Sequence, residues 1–154
     1  MKIAIGCDHG GYLLKQDILI WLEEHDIDFE DVGCFSTESV DYAVYGAKVA
    51  HCVADGKADY GVLVCSTGIG ISMAANKVKG IRAALCSDAH AAEMTRRHNN
   101  ANILAMGGRV VGPGLAIKIV DTFLNTPLSE DERHIRRIKM IEEDTDIADV
   151  NPEI

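Results

Sequence analysis

The sequence predicts an α/β protein built on a parallel sheet covered by helices on both faces. Three observations carry this reading. Strand-like and helix-like stretches alternate from one end of the chain to the other. The strand-like runs are nearly continuous in apolar residues, as strands buried on both faces are. One of them, residues 60–64, passes through Cys65 into the turn Ser66-Thr67-Gly68-Ile69-Gly70 and then into a helix. Open α/β sheets bind ligands at that edge, beyond the carboxyl ends of the strands.

The elements follow in order. Lys2–Cys7 is a short β-rich run. Tyr12–Glu24 carries Leu13, Leu14, Ile18, Trp21 and Leu22 at helical spacing. Residues 29–32 form a weaker strand. Tyr42–Ala54 reads as a helix ended by Gly56. The strand 60–64 comes next, followed by a helix over 71–78. Residues 81–86 are a strand and 89–98 a helix. The strand 103–106 is stopped by Gly107 and Gly108, and the helix 115–124 is broken by Pro127. A final helix spans 130–143. The folded unit is thus a single domain, 1–143, followed by an acidic tail, 144–154, that contains Pro152. The tail reads as a loose, solvated end or as a strap for a partner subunit.

Composition narrows the function. A chain of 154 residues suits one core, and 47% hydrophobic content makes it globular. A formal net charge of -9 repels nucleic acid and anionic membranes. No apolar run is long enough to span a bilayer. The start, MKIAIGCDHGG, turns polar too soon for a signal peptide, so a cytoplasmic location is expected. Cys7, Cys34, Cys52, Cys65 and Cys86 are odd in number and have neither Cys-x-x-Cys nor zinc spacing. They read as reduced thiols, with Cys34, Cys52 and Cys86 buried as small hydrophobes.

Familiar phosphate motifs are absent. The Cys65 loop lacks the lysine and spacing of a nucleotide P-loop. Met73 stands where a dinucleotide fingerprint needs its third glycine, and Ile71 where a cysteine phosphatase needs arginine. No His-Glu-x-x-His metal motif occurs.

Four places remain for chemistry. Cys65 ends a strand beside a glycine-rich loop whose N–H groups favour an anion and a lowered thiol pKa, which suits a base or a nucleophile. Asp8 and His9 follow the first strand, which is expected beside the third, although Asp8 also suits a helix cap. His98 ends a helix in the run Arg96-Arg97-His98-Asn99-Asn100, where the arginines read as surface charges. Arg109, Arg133 and Arg137 are cations. The last two lie one helical turn apart, within reach of Glu130, Asp131, Glu132 or Glu142 for salt bridges.

These residues occur in the pieces GCDHGG, CSTGIGISMAANKVKGIRAA, RRHNNANILAMGGRVVG and RHIRR, in that order over nearly the whole chain. With them the sequence resembles the ribose-5-phosphate isomerase B group of the ribose/galactose sugar-phosphate isomerases. The resemblance implies a Rossmann-like three-layer α/β/α sandwich with a five-stranded parallel sheet of order 2-1-3-5-4. It implies a homodimer, or a tetramer of two such dimers, with sites shared between subunits, and no metal or organic cofactor. The implied reaction is the reversible conversion of ribose 5-phosphate and ribulose 5-phosphate, with a six-carbon sugar phosphate as the alternative substrate.

Roles follow by position. Cys65 matches the base that moves the proton between C2 and C1, and His98 the group that opens the furanose ring. Asp8, His9 and Asn99 match sugar contacts. Ser66, Thr67, Gly68, Ile69 and Gly70 match the loop that holds the enediolate oxygens. Arg109, Arg133 and Arg137 match phosphate ligands. Some members carry a glutamate base at the position of Ile71; this chain has the cysteine instead. Two other classes remain as alternatives: a non-catalytic sugar-phosphate-binding module, and a redox thiol protein in which Cys7 stands near Cys65.

Overall fold

The computed structural model describes residues 1–143; the tail expected over 144–154 lies outside the described residues. The elements are β1 (Lys2–Cys7), α1 (Tyr12–Glu24), β2 (Asp28–Asp31), α2 (Tyr42–Ala54), β3 (Tyr60–Cys65) and α3 (Ile69–Ala75), then β4 (Ala83–Leu85), α4 (Ala89–Asn99), β5 (Ile103–Gly107), α5 (Pro113–Asn125) and α6 (Glu132–Glu142). The five strands form one sheet of order β2-β1-β3-β5-β4, and every pairing is parallel. This is the sandwich and the strand order that the resemblance implied.

Side-chain alternation along the strands builds two cores, because successive residues of a strand face opposite sides of the sheet. Ile3, Ile5, Cys7, Val62, Val64, Leu104 and Met106 pack with Leu14, Ile18 and Leu22 of α1 and Ile119 and Phe123 of α5. Ala4, Leu63, Cys65, Ile103 and Ala105 face the other way, onto Val49 and Ala50 of α2 and Ile71 and Ala75 of α3.

Several boundaries differ from expectation, each for a local reason. Helix α3 starts at Ile69 because Gly68, at φ 80°, turns the chain into it, and it ends at Ala75 rather than 78. Beyond it Asn76 turns outward; its Oδ1 accepts from Ala83 N–H at 2.7 Å and its Nδ2 donates to Ala83 O at 2.8 Å. Strand β4 loses its expected first two residues because Ile81 N–H donates to Val78 O and Arg82 N–H to Asn102 Oδ1. Helix α5 begins early with Pro113 in its first turn, where a missing N–H costs nothing. Helix α6 starts at Glu132 because Asp131 caps it, accepting from Arg133 N–H at 3.0 Å.

Two expectations about charged and sulfur groups are corrected. Arg96 is buried, not on the surface. Its guanidinium donates to Ala101 O at 2.7 Å, Asn100 Oδ1 at 2.8 Å and Tyr60 Oη at 2.8 Å, and lies over the Tyr60 ring at 4.7 Å. Such a fork of donors compensates burial in a way a lysine cannot. Arg97 is exposed and pairs with Glu93 at 3.2 Å, as a surface charge does. Cys34 and Cys86 are buried as expected, while Cys52 is only half-buried on α2.

A Cys7–Cys65 partnership is excluded by strand alternation. Cys7 faces the α1 and α5 layer and Cys65 the α2 and α3 layer. The sulfur beside Cys7 is that of Cys34, at 3.7 Å. Burial pushes the Cys7 thiol well above the ordinary cysteine range, with the Lys15 ammonium opposing it.

Lys15 was unremarkable in the sequence, yet it is fully buried. Its ammonium donates to both Asp31 oxygens at 2.7 Å and to Cys34 O at 2.7 Å, which uses all three of its donors. The bond network ties α1 to β2 and to the segment after it. Lys15→Ala leaves Asp31 and a carbonyl without their cation, so a loss of about 3–5 kcal/mol of unfolding free energy is expected. A urea midpoint series tests it; a loss below about 1 kcal/mol would put this pair in the class of surface ion pairs.

Candidate functional site

Three loops meet at the carboxyl edge of the sheet. Register pairs Cys7 with Val64 and Cys65 with Gly107, so the turns after β1, β3 and β5 lie side by side. Backbone bonds join them: Asp8 N–H donates to Val64 O at 3.1 Å, Gly108 N–H to Cys65 O at 2.8 Å and Arg109 N–H to Ser66 O at 3.1 Å. Their contact is too close for side chains. A Cβ on Gly11 would stand 2.4 Å from Val64 O, and one on Gly108 would stand 2.8 Å from Gly10 O. The glycines of Gly10-Gly11 and Gly107-Gly108 are thus what lets the loops close around Cys65.

Cys65 lies under its own loop and is 4% exposed. Its Sγ accepts from Gly68 N–H at 3.0 Å. That bond holds the sulfur against the amides of its own loop. Thr67 Oγ1 accepts from Ile69 N–H at 3.3 Å. The first intrahelical bond of α3 runs from Ser72 N–H to Gly68 O, so the Gly70 and Ile71 amides precede it and have no carbonyl four residues back within the helix. Those amides and the thiol together form a surface suited to a developing oxyanion beside a base. Ile71 itself is fully buried in the α2–α3 core.

Asp8 and His9 lie beside this loop, and both hold structure. Asp8 Oδ1 accepts from Gly10 N–H at 2.8 Å and Gly11 N–H at 3.0 Å, which closes the turn ahead of α1; the helix cap expected of it falls instead to Gly11, with no side-chain bond. His9 Nδ1 accepts from Val40 N–H at 3.2 Å, so its other nitrogen carries the proton in the neutral ring. Ser66 stands against Gly10, and a Cβ there would meet its hydroxyl at 2.1 Å. Arg109 is exposed on this edge and forms no ion pair among the described residues.

The remaining candidates lie elsewhere. Helix α4 runs back toward the amino edge of the sheet, where Asn102 O accepts from Gly61 N–H. His98 and Asn99, in its last turn, are therefore separated from Cys65 by the length of β3. Four register steps at ~3.3 Å make that about 13 Å along the strand alone. Asn99 is exposed, and its carbonyl accepts from Arg82 Nε at 3.1 Å. Helix α6 packs on α4 at this same end, with the His134 ring 4.2 Å from that of His98. Arg133 and Arg137 are exposed there. Arg133 pairs with Asp131 at 2.8 Å, whereas Arg137 has no ion-pair partner among the described residues and Glu142 is taken by Arg82. One chain thus carries the expected residues as two half-sets on opposite edges of the sheet.

The ribose/galactose isomerase family profile matches residues 3–141. The chain belongs to the ribose/galactose isomerase family. It is 48% identical over 140 residues to ribose-5-phosphate isomerase B of Escherichia coli, covering 91% of this chain and 93% of that protein. It is 42% identical over 148 residues to the galactose-6-phosphate isomerase subunit LacB of Clostridium acetobutylicum, covering 94% and 86%. Among solved structures, Clostridium thermocellum ribose-5-phosphate isomerase B aligns with a TM-score of 0.91 at 51% identity, covering 93% and 96% of the two chains. A ribose 5-phosphate isomerase of Thermotoga maritima aligns at 0.90 and 49%, covering 92% and 97%. The family's sugar-phosphate chemistry is the frame for both half-sets.

Residue patterning did not single out two groups at these edges. Tyr42 packs its ring on Gly70, where a Cβ would meet it at 2.7 Å; its only sequence signal was a helix start. His134 lies between the two expected arginines of α6 and is 6% exposed. Burial, His98, Arg133 and Arg137 push its pKa below the ordinary histidine value, against Asp131. The folded state therefore favours the neutral ring. This contribution is complete above about pH 6.5, the unfolded value, and is lost as pH falls through the lower folded one. Thermal melts from pH 7.5 to 5 should show His134→Phe losing less stability on acidification than wild type; parallel curves would remove His134 as a source of that loss. Among the described residues, no group of three or more His, Cys, Asp or Glu could hold a metal ion, and no helix is long and apolar enough to cross a membrane.

Proposed function

We propose that this chain is an aldose–ketose isomerase that interconverts ribose 5-phosphate and ribulose 5-phosphate through an enediolate, with Cys65 as the base. The observation that carries the base assignment is the Cys65 sulfur accepting from Gly68 N–H at 3.0 Å, next to amides of the same loop. A sugar C2–H is weakly acidic, so its removal needs a placed base and donors for the oxygen that gains charge. The thiolate takes the C2 proton, the Ser66–Gly70 loop holds the enediolate oxygens, and the thiol returns the proton to C1. Asp8 and His9 contact the sugar, and Arg109 takes part in phosphate binding. The relatives named ribose-5-phosphate isomerase B support the substrate.

His98 opens the furanose ring, Asn99 contacts the sugar, and Arg133 and Arg137 grip the phosphate. They do so in a site completed by a second copy. What supports the homodimer is the split itself, since these residues lie a sheet's length from Cys65 in their own chain. Exposed Tyr42, Ile69, Met73, Leu85 and Val110 surround the Cys65 edge and offer the second copy an apolar seat. The isomerase unit is residues 1–143, and the sequence after it, 144–154, is acidic. The protein works in the cytoplasm, where its five cysteines stay reduced.

The six-carbon alternative rests on the galactose-6-phosphate isomerase relative. A side-by-side assay of ribose, allose and galactose phosphates decides. The reading expects kcat/KM to be highest for ribose 5-phosphate; a higher value with either hexose phosphate moves the substrate class, and ligand-induced thermal stabilisation without turnover of any of them replaces the isomerase with a binding module.

A further inference from the structure

His134 has no part in the reaction as written above, yet its surroundings are specific. It is the buried residue of α6, and its ring faces that of His98 at 4.2 Å with the planes 39° apart. Its Nδ1 is enclosed and bonds to nothing among the described residues. A leucine would fill such a place without leaving a polar atom unpaired, so the unpaired nitrogen calls for an explanation. The charged and titratable groups around it are His98 from α4 and Asp131, Arg133 and Arg137 from its own helix. Burial and three of these four disfavour a charge on His134. A flat side chain also restricts its neighbour's plane, which an aliphatic one does not. His98 is half-buried, with one ring face covered in this way.

We propose that His134 is a positioning residue for His98: its ring, packed at a tilt against that of His98, fixes the plane in which His98 presents a nitrogen to the ring oxygen of a sugar phosphate bound at the second copy's Cys65 edge. His134 touches no reacting atom in this arrangement. The inference rests on the isomerase reading and deepens it by separating the group that moves the proton from the group that aims it.

The test compares His134→Leu, which fills the volume without a flat ring, with His134→Phe, which restores the ring without its nitrogens. Both are measured in the full chain for melting temperature, kcat and KM with ribose 5-phosphate. A misaimed acid/base group loses rate rather than affinity, so His134→Leu should lower kcat about 10–100-fold with KM within about twofold. His134→Phe should recover kcat to within about threefold of wild type. Equal losses in the two variants would overturn the proposal, as would wild-type kcat in His134→Leu. A rise in KM at unchanged kcat would overturn it in favour of a direct phosphate contact. If His134→Leu does not fold, His134→Gln takes its place. Failure of the isomerase reading is distinguishable, because wild type itself would then show no turnover. The His98 ring resonances decide in that case: they should move toward unstacked values in His134→Leu and stay near wild type in His134→Phe, and an unchanged His134→Leu spectrum overturns the positioning role.

Discussion

Cys65→Ala should lower kcat for ribose 5-phosphate by about 10²–10⁴-fold, the range over which a positioned general base contributes. The loss should fall on kcat with KM little changed, because the proposed phosphate grip lies on Arg109, Arg133 and Arg137 rather than on the sulfur. The fold should survive. Cys65 ends β3 among Leu63, Ile71 and Ala105, and alanine removes one sulfur from that core without adding a polar group. Kinetics and a melt on the same preparation check this. Turnover within tenfold of wild type would remove Cys65 as the base and turn attention to another group within reach of the Ser66–Gly70 loop.

Mixing two inactive variants should restore activity. Cys65→Ala lacks the base at the carboxyl edge, and His98→Asn lacks the ring-opening group at the amino edge. If each site draws one half-set from each copy, a mixed dimer has one site with both defects and one intact site. Random exchange makes half of the dimers mixed, so about a quarter of the wild-type rate should return after co-refolding. The measurement is activity before and after subunit exchange, with the two variants refolded separately as the baseline. No recovery would mean that each site is complete within a chain. Such a result conflicts with a separation of about 13 Å or more along β3, which no side chain spans.

Much of the architecture was readable from residues because it depends on local pattern. Near-continuous apolar runs marked buried parallel strands, and the glycines after β3 and β5 marked their ends. The shifts at α3 and β4 were not readable, because Asn76 and Asn102 side chains replace backbone partners there. Such bonds depend on which segments are neighbours and leave no mark in propensity. Arg96 and Lys15 were missed for the same reason. Arg96 looked like a surface cation and Lys15 drew no reading, and each is held inside by acceptors distant in sequence, Tyr60 for Arg96 and Asp31 for Lys15.

The chain's order of residues alone determined that a thiol would end a buried strand beside a glycine-rich turn, that a histidine would end a later helix, and that two arginines would share a face of the last one. Those are consequences of periodicity and turn chemistry, which act over a few residues. Only the tertiary structure decided which groups share an edge. Parallel strands return each connecting helix to the opposite end of the sheet, so the last turn of α4 lies far from the end of β3 however near their motifs stand in the sequence. That geometry splits the candidate site in two and makes a second copy the natural source of its other half.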